Sequence, residues 1–167
     1  MAKKAVSLVP DTNALIHYQF FEIVWKDLLS ADEVTICLCP QVIHEIASLK
    51  DMAEKKGIRK RAASLVSRIN EITKGKNALR DGENITVHAR RPDLTRWSHL
   101  NEKSQDDLIL GFALDLKEQG AGEVLVVTAD VSLNLRIRLH EIGLKELEIP
   151  HEMRLELADE EDKQIKR

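Results

Sequence analysis

The sequence predicts an α/β fold, a central parallel sheet covered by helices on both faces in three layers. Two observations carry that expectation. Short apolar or β-branched runs alternate along the chain with segments of helical period. The chain is also large enough to cover such a sheet: 167 residues, 43% of them hydrophobic, suffice for one self-contained core. The sequence shows no internal repeat, and seven glycines and four prolines exclude collagen-like or low-complexity material.

The elements follow in order. Residues 5–9 read as a buried strand stopped by Pro10. Residues 17–29 carry Phe20, Phe21, Val24, Trp25 and Leu28 at helical spacing, a broad apolar face fit for the core or for a dimer contact. Residues 34–38 form a second strand, and Pro40 then opens a helix over 41–49, with Val42, Ile43, Ile46 and Leu49 on one side. Residues 58–73 form a longer helix with Ala62, Leu65, Val66 and Ile69 on its apolar face. A loop is expected over 74–84, a short strand over 85–88, and no regular period over 89–103. Ser104 opens a helix running to Lys117. Residues 123–128 are the strongest strand, 133–142 a helix ended by Gly143, and 144–149 a last strand. The domain is thus expected over 1–150, with an acidic tail over 151–167 that includes Asp159 to Asp162.

Composition excludes several classes. No run approaches the roughly 20 apolar residues that span a bilayer, so no membrane partner is expected. The apolar run at 5–9 is too short for a secretory signal, and a cytoplasmic protein is expected. Cys37 and Cys39 stand two apart on one strand face, without zinc-ligand spacing around them, and read as buried thiols. The net charge of −3 conceals an asymmetry: residues 50–80 carry +7 and residues 104–167 carry −7.

In an open parallel sheet, ligands gather beyond the carboxyl ends of the strands. Asp11 follows the first strand, and Thr128 and Asp130 follow the strand at 123–128. Asp106 and Asp107 open a helix, and Glu45 borders the apolar face of another. Each has an ordinary explanation as a turn residue, helix cap or solvated side chain. Their joint placement near strand ends is what suggests chemistry. Carboxylates gathered together repel, and a divalent cation such as Mg²⁺ or Mn²⁺ relieves the repulsion while neutralising charge on a phosphoryl group.

These residues stand in a recognisable order: Val9-Pro10-Asp11-Thr12-Asn13, then Val42-Ile43-His44-Glu45-Ile46, Asp106-Asp107-Leu108-Ile109-Leu110-Gly111-Phe112-Ala113, and Val126-Val127-Thr128-Ala129-Asp130. The chain resembles the PIN-domain nucleases over residues 5–149. The resemblance implies a PIN-like three-layer fold and a metal-dependent endoribonuclease acting on single-stranded or structured RNA. It implies Asp11, Glu45, Asp106 and Asp130 as the acidic quartet holding Mg²⁺ or Mn²⁺, with Asp107 as an auxiliary ligand and Thr12, Asn13 and Thr128 in support. Asp106 takes the quartet position because Ile109, Gly111 and Ala113 follow it by three, five and seven residues. Departures are Ala47 in place of a common Asp, and Ser132-Leu133-Asn134, which would lengthen the loop after Asp130.

For RNA binding, Lys55, Lys56, Arg59, Lys60 and Arg61 of the basic block could follow phosphates. Arg90, Arg91, Arg96 and Trp97 form a second candidate surface, pairing charge with a ring for base stacking. The competing expectations are a solvated helix face and a Trp97 packed on the core. The resemblance also implies a homodimer and an antitoxin or other protein regulator as partners; the chain is longer than the compact toxins, which counts against the antitoxin. The rival readings are a catalytically silent RNA-binding or scaffold module on the same fold, and a phosphohydrolase of the haloacid dehalogenase type. The latter wants a second Asp where this chain has Asn13.

Overall fold

The computed structural model describes residues 3–139 and 144–157. Its centre is β1 (Ala5–Pro10). Val6, Ser7, Leu8 and Val9 are all buried although alternate side chains of a strand point to opposite faces, so both faces of the sheet are covered. β2 (Glu33–Leu38) pairs parallel on one side of β1 and β5 (Glu123–Val127) parallel on the other. β4 (Glu83–Val87) extends the sheet beyond β2, and β6 (Lys145–Leu147) beyond β5, both parallel. β3 (Ala78–Arg80) completes the order β3-β4-β2-β1-β5-β6 as an antiparallel edge.

That order positions the site. From β1 the chain crosses to β2, and from β5 it crosses to β6 in the opposite direction. The crevice between the carboxyl ends of β1 and β5 is therefore the topological switch point, where open α/β sheets bind ligands. The two strands are locked in register there by Pro10 opposite Val127, and the Asp11 N–H donates to the Val127 carbonyl at 3.1 Å.

The helix expected over 17–29 is broken into three pieces. α1 (Thr12–His17) starts directly after Asp11, a 3₁₀ turn spans Phe20–Glu22, and α2 (Trp25–Leu29) follows. A continuous helix would turn Val24 and Leu28 inward with the aromatics. Here those two are exposed, while Phe20, Phe21 and Trp25 are all buried. The Phe20 ring lies 4.8 Å from that of Trp25 and meets Phe21 edge-on at 6.0 Å, and the Trp25 indole donates to the Phe20 carbonyl at 3.0 Å. Burying this cluster outweighs helical continuity, and the aromatics are core.

α3 (Pro40–Met52) and α4 (Lys56–Lys74) form a helical pair. The segment expected as a loop over 74–84 contains β3 instead. Asn77 and Gly82, both with positive φ, turn the chain on either side of it, and buried Glu83 pairs with Arg80 at 2.7 Å. Arg80 also donates to the Ile23 carbonyl at 2.9 Å and to that of Phe21, stitching the hairpin to the aromatic cluster. Such a long-range clasp leaves no local periodicity to read.

α5 (Gln105–Glu118) begins at Ser104, whose hydroxyl accepts the Asp107 N–H at 3.3 Å, as a helix cap should. Before β5, Gly122 has φ +78°, and a Cβ there would lie 3.0 Å from the Ala5 carbonyl oxygen, so glycine is required on two counts. α6 (Val131–Leu139) starts immediately after Asp130. No lengthened loop follows that aspartate, because Ser132 and Asn134 lie within the helix. The expected helix end at Ile142 and its Gly143 cap lie outside the described residues.

Residues 150–157 fold back on the domain through a 3₁₀ turn, His151–Met153. The Gln19 N–H donates to the Met153 carbonyl and the Leu155 N–H to that of His17, both at 2.8 Å, around an antiparallel bridge between Tyr18 and Arg154. The expected acidic run Asp159 to Asp162 lies outside the described residues. Cys37 and Cys39 are buried free thiols, and burial pushes the Cys37 pKa up to about 11. Among the described residues no helix is long and apolar enough to cross a membrane.

Candidate active site

Asp11 closes β1 and caps α1 at once. Its Oδ1 accepts the Ala14 N–H at 2.7 Å, its Oδ2 accepts the Thr128 hydroxyl, and the residue is only 6% exposed. Thr128 directly follows β5 and in turn accepts the Asp130 N–H at 2.9 Å. One buried hydroxyl therefore aligns two carboxylate-bearing residues from neighbouring strands. Asp130 Oδ1 also accepts the Ser132 N–H at 2.8 Å, and its carbonyl accepts the Asn134 N–H at 3.1 Å, at the start of α6.

The charges act on one another. Burial is the main cause that raises the Asp11 pKa to about 6, against the hydrogen bonds from Thr128 and Ala14, and the Asp106 and Asp130 charges raise it further. The Asp106 pKa is also raised, by burial and then by Asp130, with Arg136 opposing and Asp107 adding. Three carboxylates from the ends of β1 and β5 and the start of α5 thus share one field. Glu45 joins through the neighbour of Asp11: the Thr12 hydroxyl donates to Glu45 Oε2 at 2.6 Å. Asp11, Asp106 and Asp130 thus act on one another through their charge, and Glu45 is tied to the neighbour of Asp11 through the Thr12 hydroxyl.

Asp107 has a different occupation from the auxiliary ligand expected of it. Nearly buried, it accepts the Asn101 N–H at 2.8 Å through Oδ2 and the Arg136 guanidinium through Oδ1. With both oxygens engaged, it ties the 89–103 segment and α6 to the start of α5. Arg136 is the residue that the sequence did not single out: its side chain pairs with Asp107 while its charge moderates Asp106.

Among the described residues, no three His, Cys, Asp or Glu side chains stand close enough together to hold a metal ion. The donor set is nevertheless of the kind that holds a hard divalent cation. It consists of hard carboxylate and hydroxyl oxygens, with mutual repulsion that a cation relieves, and Mg²⁺ is commonly held by only one or two carboxylates, with substrate and water oxygens completing its shell.

The basic residues divide. Arg61 donates to the carbonyls of Leu15 at 3.0 Å, Ile16 at 3.3 Å and Tyr18 at 2.8 Å, so it caps the end of α1. Arg59 donates to the carbonyls of Ala53 at 2.6 Å and Glu54 at 2.9 Å and braces the α3–α4 connection. Both guanidiniums are thus engaged by backbone carbonyls. Arg96 pairs with Asp115 at 2.9 Å and with Glu118, and lies over the half-buried Trp97 ring, which packs against the core. Arg90 and Arg91 are exposed, and Arg91 stands close enough to Cys39, at the end of β2, to act on its thiol together with Glu45. Lys55 immediately precedes α4, and Lys56 and Lys60 lie in its first turns. His17 and Arg154, which the sequence did not mark, line a cleft with Asn13 and Asp130. No local signal could have found Arg154, whose position depends on the bridge to Tyr18.

A family profile described as PIN domain matches residues 8–148, and the chain belongs to the PIN domain family. Among solved structures the chain is similar to a domain of a functionally unknown protein from Methanocaldococcus jannaschii, with a TM-score of 0.56 and 18% identity over 93% of this chain and 98% of that one. At that identity the likeness speaks for the fold alone. No curated protein matches the sequence. PIN domains are generally nucleases, and a nuclease-type site is consistent with the carboxylates at the switch point.

Proposed function

We propose that this PIN domain is a Mg²⁺- or Mn²⁺-dependent endoribonuclease that hydrolyses phosphodiester bonds through Asp11, Glu45, Asp106 and Asp130. The observation that carries the reading is the gathering of Asp11, Asp106 and Asp130 at the switch point of the sheet, where burial first and then the other two charges raise the Asp11 pKa to about 6. A lone helix cap has no need of two further carboxylates acting on it.

A bound divalent cation supplies positive charge against the phosphate and acidifies water. The chain's own residues supply position. The Ala14 N–H and the Thr128 hydroxyl fix both oxygens of Asp11, so that its remaining lone pairs face a defined direction. Thr128 and Ser132 set the backbone and carboxylate of Asp130, and Thr12 sets Glu45. Asp11, with a pKa of about 6, is still mainly ionised at pH 7. Exposed Arg91, close to Cys39 after β2, and exposed Lys55, close to His17, are the side chains of the expected basic surfaces best placed to hold a polyanion.

The test is cleavage of a labelled single-stranded RNA by the purified chain with Mg²⁺, Mn²⁺ or EDTA, alongside Asp11→Asn and Asp130→Asn. Metal-dependent cutting by the wild type and its loss in both variants is expected. Full activity in both folded variants overturns the assignment. RNA binding without any cutting identifies a catalytically silent module.

A further inference from the structure

We propose that Arg154, with His17 and Lys55, forms a seat for a phosphodiester group next to the acidic site, so that the C-terminal segment 150–157 is part of the nucleic-acid-binding surface. The inference rests on the nuclease reading for its substrate class and adds the residues that hold the strand beside the cut.

The three residues come from three chain segments, of which His17 and Arg154 line the cleft while Lys55 acts on His17 through its charge. His17 ends α1, the helix that Asp11 caps and Asn13 belongs to. Lys55 lies in the short connection between α3 and α4. Arg154 is delivered by the returning C-terminal segment, fixed by the Tyr18 bridge and by the hydrogen bonds from Gln19 to Met153 and from Leu155 to His17. His17, Arg154, Asn13, Tyr18, Ala129 and Asp130 line one cleft of about 260 Å³. Its walls therefore run from a proposed metal-site carboxylate, Asp130, to Arg154.

The electrostatics agree with this placement. The His17 pKa is held below its ordinary value by burial, then by the charges of Arg154 and Lys55, so the three groups stand in one positive field. The positive charge of the seat is that of Arg154 and Lys55, and His17, held neutral, offers a ring N–H to an anion placed beside them. The carboxylate nearest the cleft, Asp130, is directed into its own turn by the Ser132 N–H. Arg154 is exposed, and its guanidinium can offer paired N–H donors to two phosphate oxygens. Arg154 and Lys55 would meet the backbone phosphates, the contacts that position a strand without reading its sequence.

The experiment is fluorescence anisotropy of a fluorescein-labelled 12-nucleotide single-stranded RNA in EDTA, where binding is read without cleavage, over a range of salt concentrations. A DNA of the same sequence forms a second arm. Arg154→Gln is expected to weaken binding roughly fivefold at 0.1 M salt and to flatten the log–log salt slope by about 0.7, the loss of one phosphate contact. Arg154→Lys is expected to restore the slope, and Lys55→Gln to flatten it. Lys76→Gln, on the far connection before β3, is expected to leave it unchanged. Loss of binding in Arg154→Gln with no flattening of the slope, or no rescue by lysine, indicates a merely structural role and overturns the seat. Wild-type slope and affinity in Arg154→Gln overturn it as well, whatever the cleavage result. A wild type that cuts no RNA but loses binding in Arg154→Gln keeps the seat and removes the nuclease reading. A wild type that binds neither strand removes both.

Discussion

Replacing Asp11 by Asn should stabilise the metal-free protein while abolishing its proposed activity. Burial raises the Asp11 pKa from 3.8 to about 6, so folding at pH 7 carries an ionised carboxylate at a cost of about 3 kcal/mol. The sign follows from the direction of the shift. Between pH 3.8 and about 6 the folded state binds the proton more readily than the unfolded chain, so stability falls as pH rises through that window and then levels off. Asn carries no charge and still caps α1, since its side-chain oxygen can accept the Ala14 N–H. In EDTA the variant should exceed the wild type by up to about 3 kcal/mol at pH 7 and by only about 0.5 kcal/mol at pH 4. Urea unfolding followed by fluorescence of the buried Trp25 reads this directly. Mn²⁺ at about a thousandfold excess over its Kd should then reverse the order, because it adds about 4.1 kcal/mol to the wild type alone. A variant less stable than the wild type at pH 7 in EDTA, or a difference independent of pH, would refute the reasoning.

Further outcomes are expected elsewhere. Arg80→Ala strands the fully buried Glu83 carboxylate and should cost about 3–5 kcal/mol in urea unfolding; a loss under about 1 kcal/mol would show that the clasp is not needed. Asp106→Asn and Asp107→Asn should separate: the first removes cleavage with little change in stability, while the second costs about 1–3 kcal/mol by loosening Arg136 and Asn101, so equal melting curves for the two would contradict the division of roles. Arg61→Ala should lower stability by a similar amount through three unsatisfied carbonyls, yet leave the salt slope of RNA binding intact, measured by anisotropy. Gly122→Ala should cost about 1–2 kcal/mol from its positive φ and its approach to Ala5; thermal unfolding at wild-type temperature would disprove the need for glycine there.

Much of this fold was legible because its signals are local. The strands at 5–10, 33–38 and 123–127 are continuous apolar runs, as strands covered on both faces must be, and Pro40 and Ser104 mark helix starts by their own backbone and hydroxyl chemistry. The acidic positions could be placed near strand ends for the same reason: Asp11 and Asp130 follow their strands directly in sequence. Where the reading failed, a long-range contact had overruled a local pattern. The helix expected over 17–29 gave way to an aromatic cluster clasped by Arg80, nearly sixty residues from Phe21.

Sequence alone therefore determined which side chains carry the proposed chemistry and the kind of sheet that presents them, since strand periodicity and capping are properties of a few neighbouring residues. Only the tertiary structure decided how those side chains are employed. Asp106 and Asp107 are adjacent carboxylates at one helix start, yet a quarter-turn or so of helix sends one into the field of Asp11 and Asp130 and the other onto Arg136 and Asn101. Arg59 and Arg61 look like phosphate ligands in a basic run, but backbone carbonyls from other turns occupy them first. Arg154, in a segment without periodicity, is brought beside Asp130 by a two-strand bridge. The physical reason is common to all three: a charge's role is set by the groups that surround it in space, and those come from parts of the chain that local sequence does not connect.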